Sequence, residues 1–239
     1  MCMETLAQFY LAKGEYQQAR EYFTRSLNKY YEIDTLNLPY YMPDIAGVHR
    51  ELVFVYRELN QMDRSIEHEE KMVGLYRGLA KENPQKFLPQ FADALNKYSW
   101  ALYKHDLTRA IYFQEQAIQL YQQCMDSNFS YLPSNLAVSY ARMARYQILN
   151  QKFDEAEKYA RMCIKVENTK MNHKNLAHSV LYNGKFREAE KIYVELKDQF
   201  CDCAVPTPFK TLFLNDFDEF EAAGVTHPDV KKIRKELAN

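Results

Sequence analysis

Apolar residues recur along this chain at steps of three and four, the spacing that gathers side chains on one face of an α-helix. Ile45, Val48, Leu52, Tyr56 and Leu59 share one such face, and Ala110, Ala117, Ile118 and Tyr121 share another. The pattern predicts paired helices over 3–12 and 15–33, 44–59 and 62–82, 90–104 and 107–125, 134–149 and 152–166, and 172–182 and 185–199. Two more follow a loop that holds Pro206 and Pro208, over 210–223 and 228–238. In the first of these Phe213, Phe217 and Phe220 share a face and Gly224 is the stop. In the second Val230, Ile233 and Leu237 do so.

A short motif punctuates the pattern: a turn residue, a large apolar residue two positions on, and a small residue three further. It reads Gly14-x-Tyr16-x-x-Ala19, Asn60-x-Met62-x-x-Ser65, His105-x-Leu107-x-x-Ala110, Gln151-x-Phe153-x-x-Ala156 and Gly184-x-Phe186-x-x-Ala189. The small anchors are 46, 45, 46 and 33 residues apart. A small side chain is needed where the two helices of a hairpin cross, because a large one would force them apart. A second motif runs in phase with the first: Met42-Pro43, Leu88-Pro89 and Leu132-Pro133 precede their anchors by 22, 21 and 23 residues. Proline suits the first turn of a helix, so each is expected to open the first helix of a hairpin.

With these motifs the chain resembles the tetratricopeptide repeat (TPR) family over roughly residues 3–200. Leu6-Ala7 with Tyr10, Gly14, Tyr16, Ala19, Phe23 and Leu27 carry the likeness in the first unit, and Leu176-Ala177, Gly184, Phe186, Ala189 and Tyr193 in the fifth. The long period of units one to four resembles the extended repeats of the kinesin-light-chain type. Asn60 and His105 stand where a turn glycine is usual, and Ser65 where alanine is. The resemblance implies an all-α fold: a right-handed TPR-like solenoid of about five antiparallel hairpins over 1–200. The loop and helical pair of 201–239 are expected to cap its open end, as a stack of amphipathic pairs requires.

The resemblance also implies that first helices line a concave surface. Setting aside the expected core face leaves Arg50, Phe54 and Arg57 on the second unit and Asn96, Ser99 and Tyr103 on the third. It leaves Arg142 and Arg145 on the fourth, and Lys174, Asn175, His178 and Tyr182 on the fifth. Asn offers a peptide backbone both a donor and an acceptor, Arg offers carboxylates a fork, and Tyr and Phe offer rigid apolar area. The basic later half favours an acidic segment or a free carboxylate terminus. The carboxylate clamp of chaperone-binding TPR domains is not matched, because the basic residues fall on other positions.

Composition narrows the function. Thirty-one basic and 32 acidic residues give a net charge of −1, against a general nucleic-acid binder. Six glycines in 239 residues leave little room for phosphate loops. His68-Glu69-Glu70 lacks the second histidine of a zinc-binding helix, and Cys201-x-Cys203 lacks partners to complete four ligands. Neither a cofactor nor a metal site is expected, nor catalysis. No apolar run is long enough for a membrane span and no signal peptide is evident, so the five scattered cysteines read as reduced thiols in the cytoplasm. Asn128-Phe129-Ser130 fits a glycosylation acceptor without a secretory context. The expectation is a non-enzymatic scaffold that binds a peptide or protein segment in its concave groove. The alternatives are a peptide-responsive regulatory module controlling an effector, and a self-associating assembly module that uses the N-terminal hairpin.

Overall fold

The computed structural model describes residues 2–33, 38–125 and 132–238. Twelve helices are found among them: α1 (Met3–Ala12), α2 (Tyr16–Tyr31), α3 (Leu38–Glu58), α4 (Met62–Glu82), α5 (Pro84–Leu102), α6 (Leu107–Cys124), α7 (Leu132–Leu149), α8 (Phe153–Val166), α9 (Lys170–Tyr182), α10 (Phe186–Leu196), α11 (Phe209–Ala222) and α12 (Val230–Ala238). The fold is an all-α repeat of helical hairpins. Extended backbone pairs only as an isolated bridge between Phe200 and Pro208 among the described residues. The Asn128-Phe129-Ser130 motif lies outside those residues.

The turn motif works as a repeated piece of backbone. Gly14 and Gly184 adopt left-handed conformations, with φ of 72° and 77°. Each donates its N–H three residues back, and the next residue donates five back: Gly184 to Leu181 at 2.9 Å and Lys185 to Val180 at 2.9 Å. This closes the preceding helix and aims the chain into the next. Asn60 and Gln151 reach the same conformation without being glycine, at φ 55° and 56°, and make the same pair of bonds. All five anchors, Ala19, Ser65, Ala110, Ala156 and Ala189, are fully buried. Ser65 shows how close the helices come at that point, since its hydroxyl donates to the Val53 carbonyl of α3 at 3.3 Å. Ala156→Leu is therefore expected to overpack the α7–α8 crossing and cost about 1–3 kcal/mol, read from a denaturant midpoint.

The prolines correct one expectation. Pro133 does lie in the first turn of α7, but Pro43 and Pro89 lie inside α3 and α5. The helices begin earlier, at Leu38 and Pro84. In α5 it is Pro84 that takes the first helical position, with the Asn83 side chain as cap accepting from Lys86 N–H at 3.2 Å. A proline near the start of a helix removes one backbone bond, a cost that packing offsets; Pro89 is buried.

The contacts divide into two compact units, Met1–His105 and Asp106–Asn239. In the first, Ala7, Phe23, Leu27, Ile45, Val48 and Leu52 form a continuous core across α1, α2 and α3. In the second, the apolar faces of α7 to α12 close on Tyr193, Phe213, Phe217 and Phe220. The tail is part of that core, with Val230, Ile233 and Leu237 of α12 all buried in it. Cys201 and Cys203 correct a second expectation. They are joined by a disulfide, and their Cα atoms, 5.2 Å apart, lie within the range such a bond spans. Cys2, Cys124 and Cys163 are free thiols, the last two buried. No described helix is long and apolar enough to cross a membrane.

Candidate binding surface

In the first unit the predicted surface of α3 is open. Arg50, Phe54 and Arg57 line a hollow of about 180 Å³ floored by Val53 and Met72 and bounded by Ala94 and Lys97 of α5. Phe54 is 46% exposed, a large apolar side chain left in solvent at the mouth of a cavity. Arg57 pairs with Glu69 of α4, a carboxylate almost wholly buried. A further hollow of about 340 Å³ runs from Arg57 to Trp100, Lys104 and His105 at the end of α5.

On α5 the expected face is displaced by one residue. Asn96 and Ser99 are buried, with the Ser99 hydroxyl donating to the Asn96 carbonyl at 3.0 Å, while Tyr103, though largely buried, still lines the hollow beside Trp100. The buried stripe of α5 is wide, taking Ala92, Ala94, Leu95, Tyr98 and Leu102 as well. The strip left in solvent is Lys97, Trp100 and Lys104, again at steps of three and four, with Asp93 half-buried in line with it. Lys97 and Trp100 are the surface residues that the sequence pattern missed. The signal was the charge of Lys97 and Lys104, which could not have been buried unpaired.

In the second unit the predicted surface is built but covered. Arg142 and Asn175 are half-buried, while Lys174, His178 and Tyr182 are buried. What covers them is α11. Its Asp216 carboxylate sits among three basic side chains: Lys174, with which it pairs, Arg145 at 2.9 Å, and His178 Nε2 at 3.1 Å. Glu219 takes the other arm of the Arg145 guanidinium at 2.7 Å. The Arg145 guanidinium also lies 5.1 Å from the centre of the Phe220 ring, and Phe220 meets Tyr182 edge-on at 5.5 Å. Lys174, His178 and Tyr182 are thus not an open groove. The acidic, aromatic α11 of the same chain packs over them.

Burial alone would raise the Asp216 carboxyl, but Lys174, His178 and Arg145 outweigh it and hold the group well below the usual carboxylate range. His178 goes the other way. Burial lowers it to about 4 despite the neighbouring Asp216. The Tyr193 hydroxyl lies 2.8 Å from His178 Nδ1, so a neutral ring that accepts there turns its Nε2 proton towards Asp216. The consequence for stability has a definite sign. Below pH 6.5 the unfolded chain takes up a proton at this histidine that the folded unit refuses until about pH 4, so stability falls as pH drops through that window. The contribution approaches about 3 kcal/mol at pH 4. Denaturation of wild type and His178→Gln across pH 7 to 4 checks it; the variant's profile is expected to be the flatter.

The first unit carries a related pair that spacing concealed. His49 and His68 meet inside the α3–α4 contact, Nδ1 to Nδ1 at 2.7 Å, with the Tyr31 hydroxyl 3.1 Å from His49 Nε2. Burial lowers them to about 3 and about 4. Among the described residues no group of three or more His, Cys, Asp or Glu could hold a metal ion.

Comparison with known proteins agrees with this geometry. A family model described as tetratricopeptide repeat matches residues 3–32, which are α1 and α2. No curated protein sequence matches the chain. Among solved structures, the chain is similar to the TPR-like repeats of a kinesin light chain from Podosopora anserina, with 17% identity, 80% of this chain and 89% of that one covered, and a TM-score of 0.59. It is similar to BtubC (BKLC) from P. vanneervenii, with 15% identity, 95% and 81% covered, and a TM-score of 0.61. It is also similar to the apo form of RapI, with 12% identity, 99% of this chain but 61% of that one covered, and a TM-score of 0.65. At these identities the likeness is one of fold.

Proposed function

On the tetratricopeptide fold that this chain carries, we propose a non-catalytic scaffold that binds a protein segment along the first helices of its hairpins. The open binding surface is the one on α3 and α5. The observation that carries this reading is the docking of α11. The chain's own acidic, aromatic helix fills the basic first-helix face of the second unit, with Asp216 among Arg145, Lys174 and His178. The matching face of the first unit has the same ingredients, cations beside exposed aromatic rings, and carries no segment among the described residues.

The test is capture of partners by the intact chain and by a Phe54→Ala/Lys97→Glu variant. Both positions are exposed, so the fold is expected to survive the change. Arg57 is the wrong choice, because removing it would take a counter-charge from the buried Glu69. The variant is expected to lose partners that wild type retains; identical partners on both would sink the reading.

A second reading, a peptide-responsive regulatory module, draws on the same contact. An acidic segment that competes for Lys174 and Arg145 would lift α11 from α9. Self-association through the first hairpin draws on Phe9, half exposed with the Lys13 ammonium 4.4 Å from its ring centre.

A further inference from the structure

Three hollows follow α3 from one end to the other. The first, about 530 Å³, lies between α1 and the opening half of α3, and Glu4, Asp44 and Glu51 contribute its carboxylates. It shares Arg50 with the second, the hollow beside Phe54. That one shares Arg57 with the third, which ends on Lys104 and His105 and has no carboxylate on its walls. Charge therefore changes sign along the trough, from acidic beside the start of α3 to basic beside the ends of α3 and α5. On α5 the half-buried Asp93 and the exposed Lys97 repeat the order.

Helix dipoles do not account for it. They favour acidic first turns and basic last turns and act within about one turn of each end. Glu51 lies in the body of α3, Asp93 and Lys97 in that of α5. Arg50 and Glu51 offset each other, at 3.3 Å, where the sign changes. Between the two ends, Val53, Phe54, Met72 and Ala94 give the smallest of the three hollows apolar walls among Arg50, Arg57, Lys97 and the Arg57-paired Glu69. From Asp44 to Arg57 the helix rises about 20 Å, a length that roughly six extended residues span.

We infer that this trough takes a bipolar segment: an apolar anchor in the hollow beside Phe54, acidic residues towards Lys104 and His105, and basic residues towards Asp44 and Glu51. The inference rests on the reading of α3 and α5 as the open binding surface and adds the partner's charge order. A wholly acidic segment would meet the carboxylates at the far end, and like charges brought together oppose binding and so fix register.

The experiment uses three synthetic peptides with the same aromatic centre: one acidic on one side and basic on the other, one acidic on both sides, one basic on both. The bipolar peptide, carrying a photo-cross-linker at its acidic end, is expected to bind the full chain at least about tenfold more tightly than the others, a difference that a few favourable or opposed charge pairs supply. Its cross-links are expected on residues 100–105 and not around Asp44. An acidic peptide that binds as tightly as the bipolar one, or cross-links at the Asp44 end, overturns the charge order and leaves the groove standing. Binding of the bipolar peptide that is unchanged in Phe54→Ala/Lys97→Glu overturns the groove and the charge order together.

Discussion

Asp216→Ala is expected to destabilise the second unit by about 3–5 kcal/mol, the range for removing one partner from a buried charge cluster. The cost comes from what stays behind. Lys174 and Arg145 are both largely buried and both lean on this carboxylate. Without it two cations remain in a poorly solvated place with Glu219 alone to offset them. The loss is expected first in the tail, as faster amide exchange over 209–238, and then in the urea midpoint. Lys174→Met in the same background should recover part of it, because the double variant buries one charge fewer. Equal losses that simply add would mean the pair is not coupled.

Phe217→Ala is expected to cost a similar amount, about 3–5 kcal/mol, by a different route. The ring is fully buried, edge-on to His178 at 5.0 Å and 5.7 Å from the Tyr193 ring, with the Arg234 guanidinium 5.5 Å from its own centre. Truncation leaves a cavity where α9, α10 and α11 meet. Phe200→Ala is the control, since that ring is 56% exposed and its loss should change stability by less than about 0.5 kcal/mol. Chemical denaturation of the three proteins decides the matter; comparable losses at Phe200 and Phe217 would mean that α11 is not seated in the core.

Much of the fold could be read from the chain because its determinants are local. A left-handed turn residue, at φ between 55° and 77°, and a small anchor five positions later act within a few residues; four of the five hairpins have both, and at His105 only the anchor is kept. Even the departures follow the same physics: Asn60 takes the left-handed turn that glycine takes elsewhere, and Ser65 fills the anchor position with a hydroxyl bonded to α3. The surface was harder to read. On α5 the choice between Asn96 and Lys97 depends on how wide the buried stripe is, which is set by packing on both sides of the helix. On α9 Lys174 and His178 could be placed on one face, but the carboxylate that meets them could not be named. Its occupant lies 42 residues from Lys174 and 71 from Arg145, and no local period carries a pairing over that distance. His49 and His68 illustrate the same limit, 19 residues apart and in contact.

Trp100, the only tryptophan in the chain, stands in the trough, stacked on Tyr103 at 4.5 Å and 37% exposed. Its fluorescence during titration with the bipolar peptide is the most direct test of a binding surface on α3 and α5. A saturable change in wild type that disappears in Lys97→Glu/Lys104→Glu is the predicted result. A flat titration in wild type, or the same curve in both proteins, would contradict it.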